Sequence, residues 1–147
     1  MNLKEVKKGL LETLKEIFPE KKYKFYAKEV VEGYERPSFF TQIVPVEMEP
    51  ENYNTRKCRV TFYIYYMQES TDEVEMMDVI DKIRNAFNLY VIIGNRAVDV
   101  NGIEWQYTGE ERNIPEIALD ISWMEKIEHE NSAEIMRDFY FRKEMEE

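Results

Sequence analysis

The ten residues from Arg59 to Gln68, RVTFYIYYMQ, constrain the fold most, because both of their alternating rows are largely apolar or aromatic. Successive side chains of a strand point to opposite faces of a sheet, so a strand with one wet side alternates apolar with polar residues. Here Val60, Phe62, Ile64 and Tyr66 form one row, and Thr61, Tyr63, Tyr65 and Met67 form the other, aromatic but carrying hydroxyls. The first row belongs to a core. The second needs a cover of its own.

Around this strand the pattern alternates between helical and extended periods. Leu3, Val6, Leu10, Leu14 and Ile17 recur at three and four residues, which predicts a first helix ending near Phe18-Pro19, where proline disfavours continuation. The Tyr, Phe and Val content from Tyr23 to Tyr34 predicts a strand closed by Gly33 and the turn Glu35-Arg36-Pro37. A second strand runs from Ser38 through Val46, with Pro45 placing its end at an edge or a bulge. The following EMEPENYNT, Glu47 to Thr55, predicts a polar loop joining two strands of opposite direction.

After the central strand, Ser70 with Glu73 has the form of a capping box, and Met76, Ile80, Ile83 and Phe87 give a second helix. Its outer side carries Asp72, Glu75, Asp78, Asp81, Lys82 and Arg84. Leu89 to Ile93 and Arg96 to Val100 are short strand segments interrupted by Gly94-Asn95, and Asn101-Gly102 predicts a tight hairpin into Ile103 to Thr108. In the last strand Ile117, Leu119, Ile121 and Trp123 alternate with Ala118, Asp120, Ser122 and Met124. The expected fold is α+β: a largely antiparallel or mixed sheet with two helices packed on one face. Residues 1–128 form a single domain on this reading, and 129–147 a tail that is helical or docks on a partner.

At 147 residues the chain is long enough to bury an independent core. Its single cysteine, Cys58, excludes an internal disulfide and shares a row with Val60 and Phe62, the place of a small buried hydrophobe. The amino-terminal MNLKEVKKGLLETLKEIF has lysines through its apolar stretches, so neither a secretion signal nor a membrane span is expected, and assembly in the cytosol is. Residues 1–28 hold eight lysines against four glutamates, so from a total of −10 the remainder carries −14. That balance argues against gripping nucleic acid by its phosphates.

The chemistry-bearing residues do not assemble into a catalytic set. His129, the lone histidine, lies in the acidic run EKIEHENSAE with no nucleophile placed by any motif. Asp78 and Asp81, with Asp72 and Glu75, are an acidic helix face that normally meets water, although a metal-dependent hydrolase or nuclease is the enzyme reading they permit. The five glycines are scattered and form no phosphate loop. Arg56, Lys57 and Arg59 before Phe62, Tyr63, Tyr65 and Tyr66 suggest a single-stranded RNA platform, but the glycines of that motif are missing and the net charge opposes it. No catalytic residue, cofactor or metal is therefore assigned. What remains is surface: Tyr63, Tyr65 and Met67, with Trp105 and Tyr107, are residue types enriched at protein interfaces, and the same residues equally suit a second buried layer beneath the chain's own tail or a loop.

Taken over residues 3 to 127, the chain resembles the tail terminator proteins of long-tailed bacteriophages and of prophage-like or tailocin particles. The resemblance is carried by IFPEKKYKFYAKEVVEGYERPSFF, RVTFYIYYMQ, TDEVEMMDVIDKIRNAF, GNRAVDV and EIALDISWMEKIE, above all by the turn from Glu35 to Phe40 after a strand containing glycine. It implies a non-catalytic subunit of a homo-oligomeric, hexameric ring at the head-proximal end of the tail. Such a ring caps the tail tube protein, ends its polymerisation and offers the head-tail connector its docking surface. DNA would be met only in passage through the lumen, and no membrane is involved. A connector, head-completion or tube protein is the neighbouring alternative.

Overall fold

The computed structural model describes residues 1–27 and 32–129. The expected two-helix, one-sheet architecture is present: α1 (Leu3–Ile17), β1 (Lys24–Ala27), β2 (Ser38–Pro50), β3 (Thr55–Met67), α2 (Glu73–Ala86), β4 (Tyr90–Ile93), β5 (Arg96–Thr108) and β6 (Ile114–Lys126). The strands form one sheet in the order β1-β2-β3-β6-β5-β4, parallel at β1/β2 and antiparallel elsewhere. Both helices cover the same face, where Val6, Leu10 and Leu14 of α1 and Val79 and Ile83 of α2 meet Val60, Phe62, Ile64, Leu119 and Ile121.

Local chemistry accounts for the helix ends. The Asn2 side chain accepts from the Glu5 backbone N–H at 2.9 Å while the Glu5 carboxylate accepts from the Asn2 N–H at 3.2 Å, a reciprocal cap. In α2 the cap is Asp72 rather than Ser70: Asp72 Oδ1 accepts from the N–H groups of Val74 and Glu75 at 3.0 and 3.4 Å. The displacement has a cause outside the helix. The Gln68 side chain at the end of β3 donates to the Asp72 carbonyl at 2.8 Å and accepts from its N–H at 3.2 Å, which selects Asp72 as the first fixed residue.

Two loop expectations are corrected. Residues 47–50 are strand, not loop, because Glu47 and Glu49 lie opposite Arg59 and Lys57, cross-strand pairs of opposite charge. Only residues 51–54 turn, held by Asn52 Oδ1 accepting from the N–H groups of Asn54 and Thr55. Likewise Asn101-Gly102 makes no hairpin. The hairpin falls at Gly94-Asn95, with Gly94 at φ +65° and Ile93 paired to Arg96, and β5 runs on through Asn101 as a bulge between Val100 and Gly102. Pro45 does sit where expected, just before a register shift in β2 and beyond the reach of β1, which pairs only with residues 38–41. Of the strand predicted from Tyr23 to Tyr34, only Lys24–Ala27 is strand among the described residues, parallel to β2; residues 32–34 are not, Gly33 having turned to φ +75°, and 28–31 lie outside the described residues. The assignment of 129–147 as a helical or partner-docking tail falls, from residue 130 on, outside the described residues.

Candidate assembly surface

The register fixes which side chains share the face that carries neither α1 nor α2, bare among the described residues. Tyr26, Phe40, Tyr65, Glu116 and Gln106 lie in one line across five strands, and Gln42, Tyr63, Ala118 and Glu104 in the next. The line after that holds Val44, Thr61, Asp120 and Gly102, followed by Glu47, Arg59, Ser122 and Asp99. Along β3 this divides the aromatic rows cleanly. Cys58, Val60, Phe62, Ile64 and Tyr66 are buried under the helices, whereas Thr61, Tyr63, Tyr65 and Met67 are half-buried on the bare face.

The bare face is aromatic at one end and charged at the other. Tyr26 stacks on Phe40 with centroids 5.4 Å apart, Tyr34 meets Phe40 edge-on at 5.1 Å, and Tyr63 stacks on Tyr65 at 6.4 Å. Toward the other end, Arg59 donates twice to Asp120, Nε and Nη2 each at 2.8 Å, the fork geometry of guanidinium and carboxylate. That contact holds the Asp120 carboxyl below its ordinary range, burial opposing it and Asn101 assisting. On the opposite, helix-bearing side Arg56 lies 3.5 Å from Glu125. Two of the three cations that the RNA reading needs are thus occupied by β6 carboxylates of the same chain.

Of the five interface residues picked from the sequence, the register separates three from two. Trp105 pairs with Ile117 and Tyr107 with Pro115, so both point to the helix-bearing side, opposite to Tyr63, Tyr65 and Met67. Neither helix reaches them: Trp105 is 51% and Tyr107 43% exposed, although Ile103, two residues earlier, packs against the core. The sequence reading missed Tyr26, Tyr34 and Phe40, whose role needed the parallel pairing of β1 with β2. A shallow depression of about 190 Å³ lies between Tyr63, Glu104, Gln106, Glu116 and Ala118 on the bare face.

The residues considered for chemistry occupy other places. Asp78 and Asp81 are exposed on α2, with Asp81 3.0 Å from Arg84. His129 stacks on Tyr53 of the β2/β3 turn at 4.2 Å. Cys58 is fully buried, and that burial together with nearby Glu125 pushes its thiol up to about 11. Tyr66 on the core side donates its hydroxyl to Glu75, tying β3 to the first turn of α2, and burial reinforced by that carboxylate raises its pKa. Among the described residues, no group of three or more His, Cys, Asp or Glu side chains is arranged to hold a metal ion, and no helix is long and apolar enough to cross a membrane.

Comparison with known proteins agrees with this picture of surface rather than chemistry. No curated protein matches the sequence. A solved structure, titled only by a sequence identifier, superposes with a TM-score of 0.52 at 10% identity, over 88% of this chain and 98% of that one. At that identity the likeness is one of fold. The family described as "Phage tail terminator protein" matches residues 5–133, most of the chain. The chain therefore belongs to the phage tail terminator proteins, a non-catalytic structural family of the phage tail.

Proposed function

We propose that six copies of this chain close into a ring that seats on the finished tail tube, ends its polymerisation and presents the surface to which the head-tail connector joins. The observation that carries this reading is the second row of β3. Tyr63, Tyr65 and Met67 lie on a face that neither helix covers, while the equivalent row on the other face is fully packed. In an assembled tail a neighbouring subunit or the tube covers that row. Contacts between unlike patches of identical chains close into rings when the rotation permits, and a lysine-rich first segment with an acidic remainder suits such contacts. The ring would stand at the head-proximal end of the tail and let DNA pass without adhering to its acidic residues.

The test is electron microscopy of particles made with and without the chain. Loss of the chain is expected to give overlong, headless tubes, and particles that carry it to show a ring at the tube end. Tubes of normal length lacking only heads would mark a connector instead. Long cylinders formed by the purified chain alone would mark a tube protein, and either result overturns the reading.

A further inference from the structure

The two outermost strands each pair with only four residues of the 13-residue strand they flank, and at opposite ends of the sheet. On one side β1 pairs with residues 38–41 of β2, and residues 44–50 are, among the described residues, bonded to β3 alone. On the other, β4 pairs with residues 96–99 of β5, with one further bond from the Val100 N–H to the Leu89 carbonyl. Residues 102–108 of β5 then have β6 on one side and no described strand on the other. Through the chain of pairings, residue 41 of β2 is level with residue 105 of β5, and residue 47 with residue 99, so the open half-edges occupy diagonal corners.

Among the described residues nothing covers the β5 half-edge. Solvent-facing edges are normally blunted by proline, lysine, a bulge or a covering loop. Beyond Gly102 this one has none of the first three and displays Trp105 and Tyr107. The β2 half-edge shows Val46 and Met48, 54% and 39% exposed, and its Glu47 and Glu49 are faced by Arg59 and Lys57.

We infer that residues 102–108 of β5 are completed by residues 44–50 of β2 from the adjacent copy, so that one sheet runs on from subunit to subunit. Strand directions permit it, since β2 and β5 are antiparallel across the sheet and a rotation about an axis to which the strands are tilted, as in a barrel, keeps neighbouring edges so. The offset fits as well. Bringing residue 47 of one copy opposite residue 106 of the next, both on the bare face, displaces the strands by the six residues from Tyr65 to Arg59, about 20 Å, over four strand spacings of roughly 19 Å. That ratio gives a strand tilt near ~45°, close to the range in which sheets close on themselves. Pro45 and Pro50 each lack a donor, which leaves residues 46–49 to supply most of the N–H groups of the ladder.

This contact presupposes a ring of like subunits, and cysteine cross-linking separates the two ideas. In a full-length Cys58→Ala background, Glu104→Cys or Gln106→Cys is combined with Glu47→Cys or Glu49→Cys, all on the bare face. Across an antiparallel pair such residues come within disulfide range. Oxidation of the purified chain and of tail particles carrying it is expected to give a covalent ladder in at least one combination, with under a tenth of that yield from Tyr107→Cys with Glu49→Cys, which face opposite sides. Native mass spectrometry of the same samples reads the ring itself. A ring with no ladder overturns the edge contact alone; no ring in either sample overturns both. A bond from Gln106→Cys to Phe139→Cys within one chain would show that the chain's own residues 130–147 take the edge, and would also overturn it.

Discussion

Gly9 of α1 and Ile93 of β4 approach so closely that a Cβ at position 9 would lie 2.7 Å from both Cγ1 and Cγ2 of Ile93. The contact seats the first helix on the far edge of the sheet, and the obstructing atoms belong to a β-branched side chain with little freedom to yield. Gly9→Ala should therefore destabilise the chain by about 1–3 kcal/mol, although alanine favours a helix by nearly 1 kcal/mol over glycine. Ile93→Ala in the same chain should recover part of the loss. Chemical denaturation of the four combinations gives the coupling, and strict additivity would sink the argument.

How much of this fold was legible depended on whether the signal was local. Leu3 to Ile17 and Met76 to Phe87 follow helical periods that a reader can count, and Ile117 to Trp123 alternates as a strand with one dry face should. The failures lie where a neighbour decides. Asn101-Gly102 has the composition of a tight turn, but β6 offers a ladder on both sides of it and the pair becomes a bulge, Asn101 donating to Ser122 Oγ at 2.8 Å. Glu47 and Glu49 looked like loop because their partners, Arg59 and Lys57, are counted only once the register is known. The same holds for the surface: Tyr63 and Tyr65 were visible as a row, but nothing local says that Trp105 turns to the other side.

Cys58 reports global unfolding. Its thiol is fully buried, and burial, with Glu125 beside it, pushes its pKa up to about 11, so at pH 8 roughly one thiol in a thousand is ionised. Native protein should resist Ellman's reagent at least ~100-fold more than the unfolded chain, with the labelling rate rising along the denaturation curve. Full labelling of the folded chain within seconds would show that β3 opens locally at this point.

The Arg59–Asp120 pair should leave a signature at acid pH. Hydrogen bonds from Arg59 hold the Asp120 carboxyl below its unfolded value, so its contribution is complete above about pH 4 and is lost as pH falls through the folded pKa. Both side chains are partly exposed, so the contribution is small and sensitive to salt. Asp120→Asn should lower Tm slightly and by a constant amount from pH 8 to 5, and the gap to the parent should close below pH 4. A gap that does not change down to pH 3 would mean that the charge contributes nothing.

The two rows of β3 should respond differently to truncation. Phe62 is fully buried between the helices and the sheet, and Phe62→Ala should cost about 3–5 kcal/mol in the isolated chain. Tyr63 points to the bare face and stacks on Tyr65, so Tyr63→Ala should cost only about 1 kcal/mol there. Assembly should reverse the order of interest. The folded Tyr63→Ala chain should fail to join tails, or do so at less than a tenth of the parent's occupancy, while a polar change on the exposed side of α2, such as Asn85→Ser, should leave incorporation intact. Denaturation curves measure the first difference and quantitative gels of purified particles the second. Normal incorporation of Tyr63→Ala would mean that the bare face stays wet in the finished tail, and the case for a covering neighbour would fall with it.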